Sequence, residues 1–161
     1  MAMIIAARLR DHRGPTSGSS RPYFGPNLRR PETMRPHAFP VMVTEQDIRR
    51  ICLSLPGAVE KPYAGLPGFR VRNKLFARIR GNPDALVVLT SDVGEKEALI
   101  WSEPEKFFQT PHYEGHPAVL VRMEAIEVDE LEDLLKQSWA LIAPAKLVAA
   151  FESLMASRDA D

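Results

Sequence analysis

The sequence predicts an α+β domain, with helices packed on one face of an antiparallel sheet in the order α-β-β-β-α-β-α-α. Two patterns predict it. Apolar residues recur at helical spacing near residues 45–55 and along two segments after 128. Between them, residues 69–90 carry short apolar runs joined by brief turns, which argues for a meander of strands. The 161 residues can bury a full core, so no disulfide or metal staple is required. Cys52 is the one cysteine, which excludes a disulfide framework and a thiolate zinc cluster and fits a reducing cytoplasm.

The domain is expected to span 42–157. Thr44-Glu45-Gln46-Asp47 reads as a capping box, with Ile48, Ile51, Cys52 and Leu55 as one apolar stripe behind it. Pro56-Gly57 stops that helix. Residues 56–68 are rich in proline and glycine and read as a connection. Strands are expected at 69–72, 75–80 and 85–90, with Asn73 near a tight turn. Helices follow at 93–101 and, briefly, at 103–108; then come a loop, Pro111 to Pro117, and a strand, Ala118 to Met123. Val128 to Ile142 forms the next helix. Pro144 starts the last, whose apolar face is Leu147, Val148, Phe151, Leu154 and Met155.

Residues 1–41 differ from the rest. Seven arginines face two carboxylates there, a net +5, which leaves 14 basic and 19 acidic residues, a net −5, in 42–161. Six prolines interrupt 13–40, so this stretch is expected to be a disordered basic extension. Two readings stand: an arm that reaches along phosphates, or an appendage from a start codon assigned too early, with Met34 and Met42 as alternative starts.

The chemistry concentrates in residues 69–80, Phe-Arg-Val-Arg-Asn-Lys-Leu-Phe-Ala-Arg-Ile-Arg, which hold five basic side chains and no acidic one. Strict alternation would turn Phe69, Val71, Leu75, Ala77 and Ile79 toward the helices. Arg70, Arg72, Lys74, Phe76, Arg78 and Arg80 would then face outward. Cations with an aromatic among them can contact phosphates and stack on sugar or base, and a two-stranded ribbon fits the major groove of DNA. Lys61 and Tyr63 are expected neighbours. Charges on a solvated sheet face also serve solubility alone.

Other motifs carry less. His112 and His116 are four apart, as in a helical metal pair, but Pro111, Gly115 and Pro117 argue against a helix. The two rings are therefore not expected to share a face, and no metal or other cofactor is expected. Glu124, Glu127, Asp129, Glu130, Glu132 and Asp133 suit a helix N-terminus. No nucleophile elbow, phosphate loop or dinucleotide fingerprint occurs, so no catalytic residues are assigned and an enzyme is not expected. The apolar run Met3 to Ala7 is too short to span a membrane.

From Thr44 to about Phe151 the chain resembles the MmcQ/YjbR family of small bacterial proteins. The pieces are Leu55-Pro56-Gly57, Lys61-Pro62, Phe69-Arg70-Val71 with Lys74-Leu75-Phe76-Ala77, Phe107-Phe108, Thr110-Pro111-His112-Tyr113, Pro117-Ala118-Val119-Leu120-Val121-Arg122, and Ser138-Trp139 ahead of Ala143-Pro144-Ala145-Lys146. The resemblance implies a frataxin-like (CyaY-like) fold, a curved antiparallel sheet against helices. It also implies the DNA-binding, "double wing" label that the family commonly carries. Asn73 stands where the family often has glycine, and Ala118 where some members have tryptophan. The expectation is a cytoplasmic, non-enzymatic protein that contacts DNA phosphates with low sequence selectivity. The alternative is a protein- or small-ligand-binding module with a pocket at Tyr63, His112, Tyr113 and His116.

Overall fold

Ten residues, Glu45–Ser54, form the first helix, α1, because a full capping box starts it. The Asp47 N–H donates to Thr44 Oγ1, and the Asp47 carboxylate accepts from the Thr44 N–H. The computed structural model describes residues 42–160 except Pro83, so the expected extension at 1–41 lies outside the described residues. Ile48, Ile51, Cys52 and Leu55 are all buried, as the stripe requires. Burial pushes the Cys52 thiol far above its ordinary range, so this sulfur is an inert core group.

The sheet has six strands, all antiparallel, in spatial order β1-β2-β3-β4-β6-β5. They are β1 (Ala58–Tyr63), β2 (Leu66–Val71), β3 (Lys74–Gly81), β4 (Asp84–Leu89), β5 (Phe107–Phe108) and β6 (Ala118–Val121). Helix α2 is Val93–Ser102, between β4 and β5; α3 (Val128–Ile142) and α4 (Ala145–Asp159) close the chain. Among the described residues no helix is long and apolar enough to cross a membrane.

Two strands exceed the expected order. β1 occupies the stretch read as a connection, because its prolines sit where a ladder tolerates them. Pro62 pairs with Pro67, next to the hairpin-closing pair Tyr63↔Leu66. Alternation of an antiparallel ladder makes that position a non-hydrogen-bonded pair, so neither missing N–H breaks a bond between these strands. The β2–β3 ladder starts only at Gly68↔Arg78, beyond Pro67. β5 replaces the short helix expected at 103–108. A turn at 104–106 precedes it, and Phe107 and Phe108 pair with Val121 and Leu120.

Both hairpins of the β1-β2-β3 meander close through two-residue loops with both residues at positive φ. These are Ala64 (50°) with Gly65 (80°), and Arg72 (47°) with Asn73 (68°). That backbone matches the right-handed twist of the strands it joins. Arg72 is thus a turn residue rather than a strand residue.

The main core lies between the sheet and the helices. It contains Ile48, Ile51, Phe69, Val71, Phe76, Ala77, Ile79, Leu86, Val88, Val119, Val121, Leu131, Leu135 and Trp139. Leu147, Val148 and Phe151 of α4 pack on its rim, whereas Leu154, expected on the same face, is 57% exposed. The opposite sheet face carries a second, smaller core of Ala85, Val87, Tyr113, Ala118 and Leu120. Covered on both sides, β4 and β6 are continuous apolar runs rather than alternating ones.

The sequence expectation fails inside β3. Phe69 pairs with Ala77 and Arg70 with Leu75, so Phe76 is an extra residue, a β-bulge. The bulge reverses the facing of the strand's first half. Phe76 joins the main core at 1% exposure, and Leu75 turns to the outer face beside Val87 and Leu89. Lys74, paired with Val71, shares the helix side of the sheet at its rim. Phe76 therefore cannot stack on a base, and Lys74 does not stand with Arg78 and Arg80.

Candidate functional site

Alternation beyond the bulge places Arg78 and Arg80 on the outer face, between the buried Ala77 and Ile79 and the exposed end at Gly81. Register brings Arg70 of β2, and Lys61 and Tyr63 of β1, to the same side. Gly68 lies in their midst because nothing larger fits. A Cβ there would stand 2.9 Å from the Lys61 carbonyl oxygen and 3.2 Å from Tyr63 Cβ. Arg122, two residues beyond Leu120, extends the same face past β6, with its guanidinium 4.2 Å over the Phe108 ring.

The partners of these cations are neutral. Arg78 lies 4.5 Å over the Tyr63 ring and donates to the Tyr113 hydroxyl. Arg80 donates to the Asn82 carbonyl at 2.8 Å and to Thr110 Oγ1 at 3.2 Å, and its guanidinium lies 5.8 Å from the Tyr113 ring. Arg70 donates to the Asn73 carbonyl at 2.9 Å, and Lys61 to Asn73 Oδ1 at 3.3 Å. Arg122 donates to the Pro104 carbonyl at 3.0 Å. Such contacts orient a cation without cancelling its charge, and each guanidinium has five N–H donors, most of them left over for a ligand.

The helix side is the reverse. Arg49 forms a two-point ion pair with Glu60, at 2.8 and 3.1 Å, and also reaches Glu45. Lys106 holds Glu130 and Glu103, and these carboxylates push its pKa well above the usual lysine range. Lys136 pairs with Glu132 at 2.9 Å. Among the described residues, no carboxylate lies within 4.0 Å of Lys61, Arg70, Arg78, Arg80 or Arg122 on the outer face. Many of the described acidic residues lie on the helices, with Glu45 and Asp47 on α1, Glu95 and Glu97 on α2, and Asp129, Glu130, Glu132 and Asp133 on α3. The exposed Asp84 begins β4, and the exposed Glu114 follows a 3-10 turn at Pro111–Tyr113.

That turn, Pro111–Tyr113, closes over the second core and carries Tyr113 onto it. Lys96 of α2, 1% exposed, anchors it by donating to the Tyr113 carbonyl at 2.9 Å. His112 meets Tyr113 edge-on at 5.1 Å between ring centroids. The expectation that His112 and His116 would not share a face is corrected. Their rings stack at 6.4 Å and 29°, because the loop doubles back at Gly115, whose φ is +74°.

Tyr63, Tyr113, His112 and His116 are linked as successive neighbours, with the Arg78 guanidinium standing between the two tyrosines, 4.5 Å from the Tyr63 ring and 5.8 Å from the Tyr113 ring. Clefts of about 370 and 340 Å³ lie elsewhere, one between α3 and α4 and the other between α3 and the β4–α2 junction. Arg122, Thr110 and Lys96 were missed from the sequence. Alternation along 118–122 places Arg122, but no local pattern reveals Thr110 or Lys96, whose partners are 30 and 17 residues away.

Among the described residues, a six-stranded antiparallel sheet with four helices, bearing cations with neutral partners on its outer face, defines the class. Within that class, the chain belongs to the YjbR family, whose model matches residues 53–141. It is 40% identical over 128 positions to the uncharacterized protein Rv2570 of Mycobacterium tuberculosis, covering 68% of this chain and 96% of that one. The uncharacterized protein Mb2600 of Mycobacterium bovis matches equally. A likeness in fold reaches Deinococcus radiodurans protein DR2400, whose domain is described as DUF419. The TM-score is 0.54 at 23% identity, covering 65% of this chain and 82% of that one.

Proposed function

We propose that this domain is a cytoplasmic, non-enzymatic protein that binds DNA through its phosphate backbone on the outer sheet face. The observation that supports this reading is the set of cations on that face. Lys61, Arg70, Arg78, Arg80 and Arg122 are held by neutral groups, with no carboxylate of the described residues within salt-bridge reach. A face built for solubility alone gains nothing from preset guanidinium geometry. A polyanion does, because part of the ordering cost is met before it binds. Arg72 at the hairpin tip is a further contact, and Lys74 lies at the rim. Phosphate contacts fix position and carry no sequence information, so selectivity is low.

Fluorescence anisotropy with labelled 16-nucleotide DNA, single-stranded and duplex, tests this reading. Binding at about 20 mM salt should fall by orders of magnitude near 200 mM, as counterion release requires. Arg78→Glu with Arg80→Glu should abolish it. Absence of salt-sensitive binding to both forms overturns the reading. The rival reading is a pocket at Tyr63, His112, Tyr113 and His116 for a small ligand or a protein partner, and it predicts indifference to DNA.

A further inference from the structure

Building on the reading above, we infer that the outer face takes single-stranded nucleic acid in preference to duplex, by stacking unpaired bases on a row of planar side chains. The row runs Tyr63, Arg78, Tyr113, His112, His116. Its successive separations are 4.5 Å from ring to guanidinium, 5.8 Å from guanidinium to ring, then 5.1 and 6.4 Å between ring centroids. The ends are open to solvent: Tyr63 is 42% exposed, and both histidines are exposed. Tyr113, 7% exposed, belongs to the second core and holds the row rather than receiving bases, through the hydrogen bond from Arg78 to its hydroxyl and Lys96 beneath its carbonyl, so bases stack on the open ends.

Two arguments select the single strand. In a duplex the base faces are already stacked on one another, so exposed planar groups have nothing to engage. Unpaired bases offer those faces, whatever their sequence. The second argument is steric. A major groove admits a two-stranded ribbon. Here β2 and β3 are interior strands, flanked by β1 and β4 along most of their length, so only the Arg72-Asn73 tip projects as a free hairpin. The cations flank the row. Arg80 lies beside Tyr113, and Arg78 and Arg80, two residues apart on one strand, are separated by about 6.6 Å. The strand backbone would lie along these cations, with its bases turned toward the row.

Anisotropy titrations at one low salt concentration separate this inference from the reading beneath it. Three 16-mers are compared: oligothymidine, a mixed-sequence duplex, and a single strand made wholly of abasic sites. Oligothymidine should bind about tenfold more tightly than either other ligand, the scale of one stacked base. Tyr63→Ala should remove most of that advantage, weakening oligothymidine binding far more than duplex or abasic binding, and Tyr63→Phe should restore it. The alanine variant keeps the Cβ that packs over Gly68, and circular dichroism verifies its fold. Equal binding of the three ligands, or tighter binding of the duplex, overturns the single-strand inference and leaves backbone binding standing. Indifference of oligothymidine affinity to Tyr63→Ala also overturns it. Absent binding of all three overturns both.

Discussion

Ser138 of α3 is spliced into the sheet at Phe76. Its hydroxyl donates to the Phe76 carbonyl at 2.6 Å and accepts the Leu89 N–H at 3.1 Å. Register explains the insertion. The β3–β4 ladder runs from Gly81↔Asp84 to Ala77↔Val88, so Phe76 and Leu89 are the next pair. The bulge pulls them apart, and a side chain from the helix layer completes both bonds. Ser138 is fully buried, so Ser138→Ala leaves a carbonyl and an N–H without partners. The expected loss is about 1–3 kcal/mol, read as a lower urea midpoint at unchanged slope.

Phe76 itself gives the complementary prediction. As a core residue it should tolerate Phe76→Leu with a modest loss of stability and unchanged DNA affinity. Phe76→Ala should cost about 3–5 kcal/mol through the cavity it leaves. Were Phe76 a base-stacking group, the leucine variant would bind DNA more weakly while remaining as stable as the parent. Titration and denaturation of the same sample distinguish these outcomes.

Arg78 and Arg80 on the outer face should differ from the turn arginine, Arg72, in what their loss does. Arg78→Gln and Arg80→Gln each remove a fixed cation, so each should lower the slope of log affinity against log salt by about one. Arg78→Gln should also loosen the turn carrying Tyr113, which loses its hydroxyl's donor, and should raise amide exchange across 110–116. Arg72→Gln removes an exposed charge with no described partner and should leave that exchange unchanged.

Most of the helical layer was legible from local signals. The capping box at Thr44, the stripe through Ile48, Ile51 and Cys52, and the bounds of α3 depend on residues within a few positions of one another. The register of β3 was not legible. Lys74 to Arg80 alternates cleanly on paper, and only the pairing of β2 with β3 reveals Phe76 as the extra residue. A one-residue slip exchanges the two faces of a strand, so this single long-range fact re-sorted Lys74, Leu75 and Phe76. β1 was hidden for another reason. Pro62 and Pro67 read as breakers until their pairing at a site that needs no N–H is known.

The Arg72-Asn73 turn predicts a gain in stability. Both residues hold positive φ, a conformation that costs most residues energy and that Asn-Gly fills best. Arg72→Asn with Asn73→Gly should therefore stabilise the domain by up to about 1 kcal/mol. Loss of the Lys61 contact to Asn73 Oδ1 offsets this only slightly, since that contact is exposed and 3.3 Å long. Thermal unfolding checks the gain. DNA affinity should fall modestly through the lost arginine, so stability and binding move in opposite directions.

Acid should weaken α1 through Asp47. Its carboxylate accepts from the Thr44 hydroxyl at 2.6 Å and from the Thr44 N–H at 3.0 Å, and these bonds hold its pKa below the ordinary value of 3.8. A depressed folded-state pKa means that the unfolded chain takes up the proton more readily. The stabilisation is therefore complete above about pH 5 and is lost as pH falls through 3.8 toward the folded value. Asp47→Asn should remove this component. The variant should be less stable than the parent at pH 7, and the gap should narrow as the pH falls below 4. Thr44→Ala, which removes the reciprocal cap, should cost about 1 kcal/mol at neutral pH and flatten the same acid limb. Chemical denaturation from pH 3 to pH 7 reads both effects, and a gap that stays constant across that range would show that the Asp47 carboxylate contributes no charge-dependent stability.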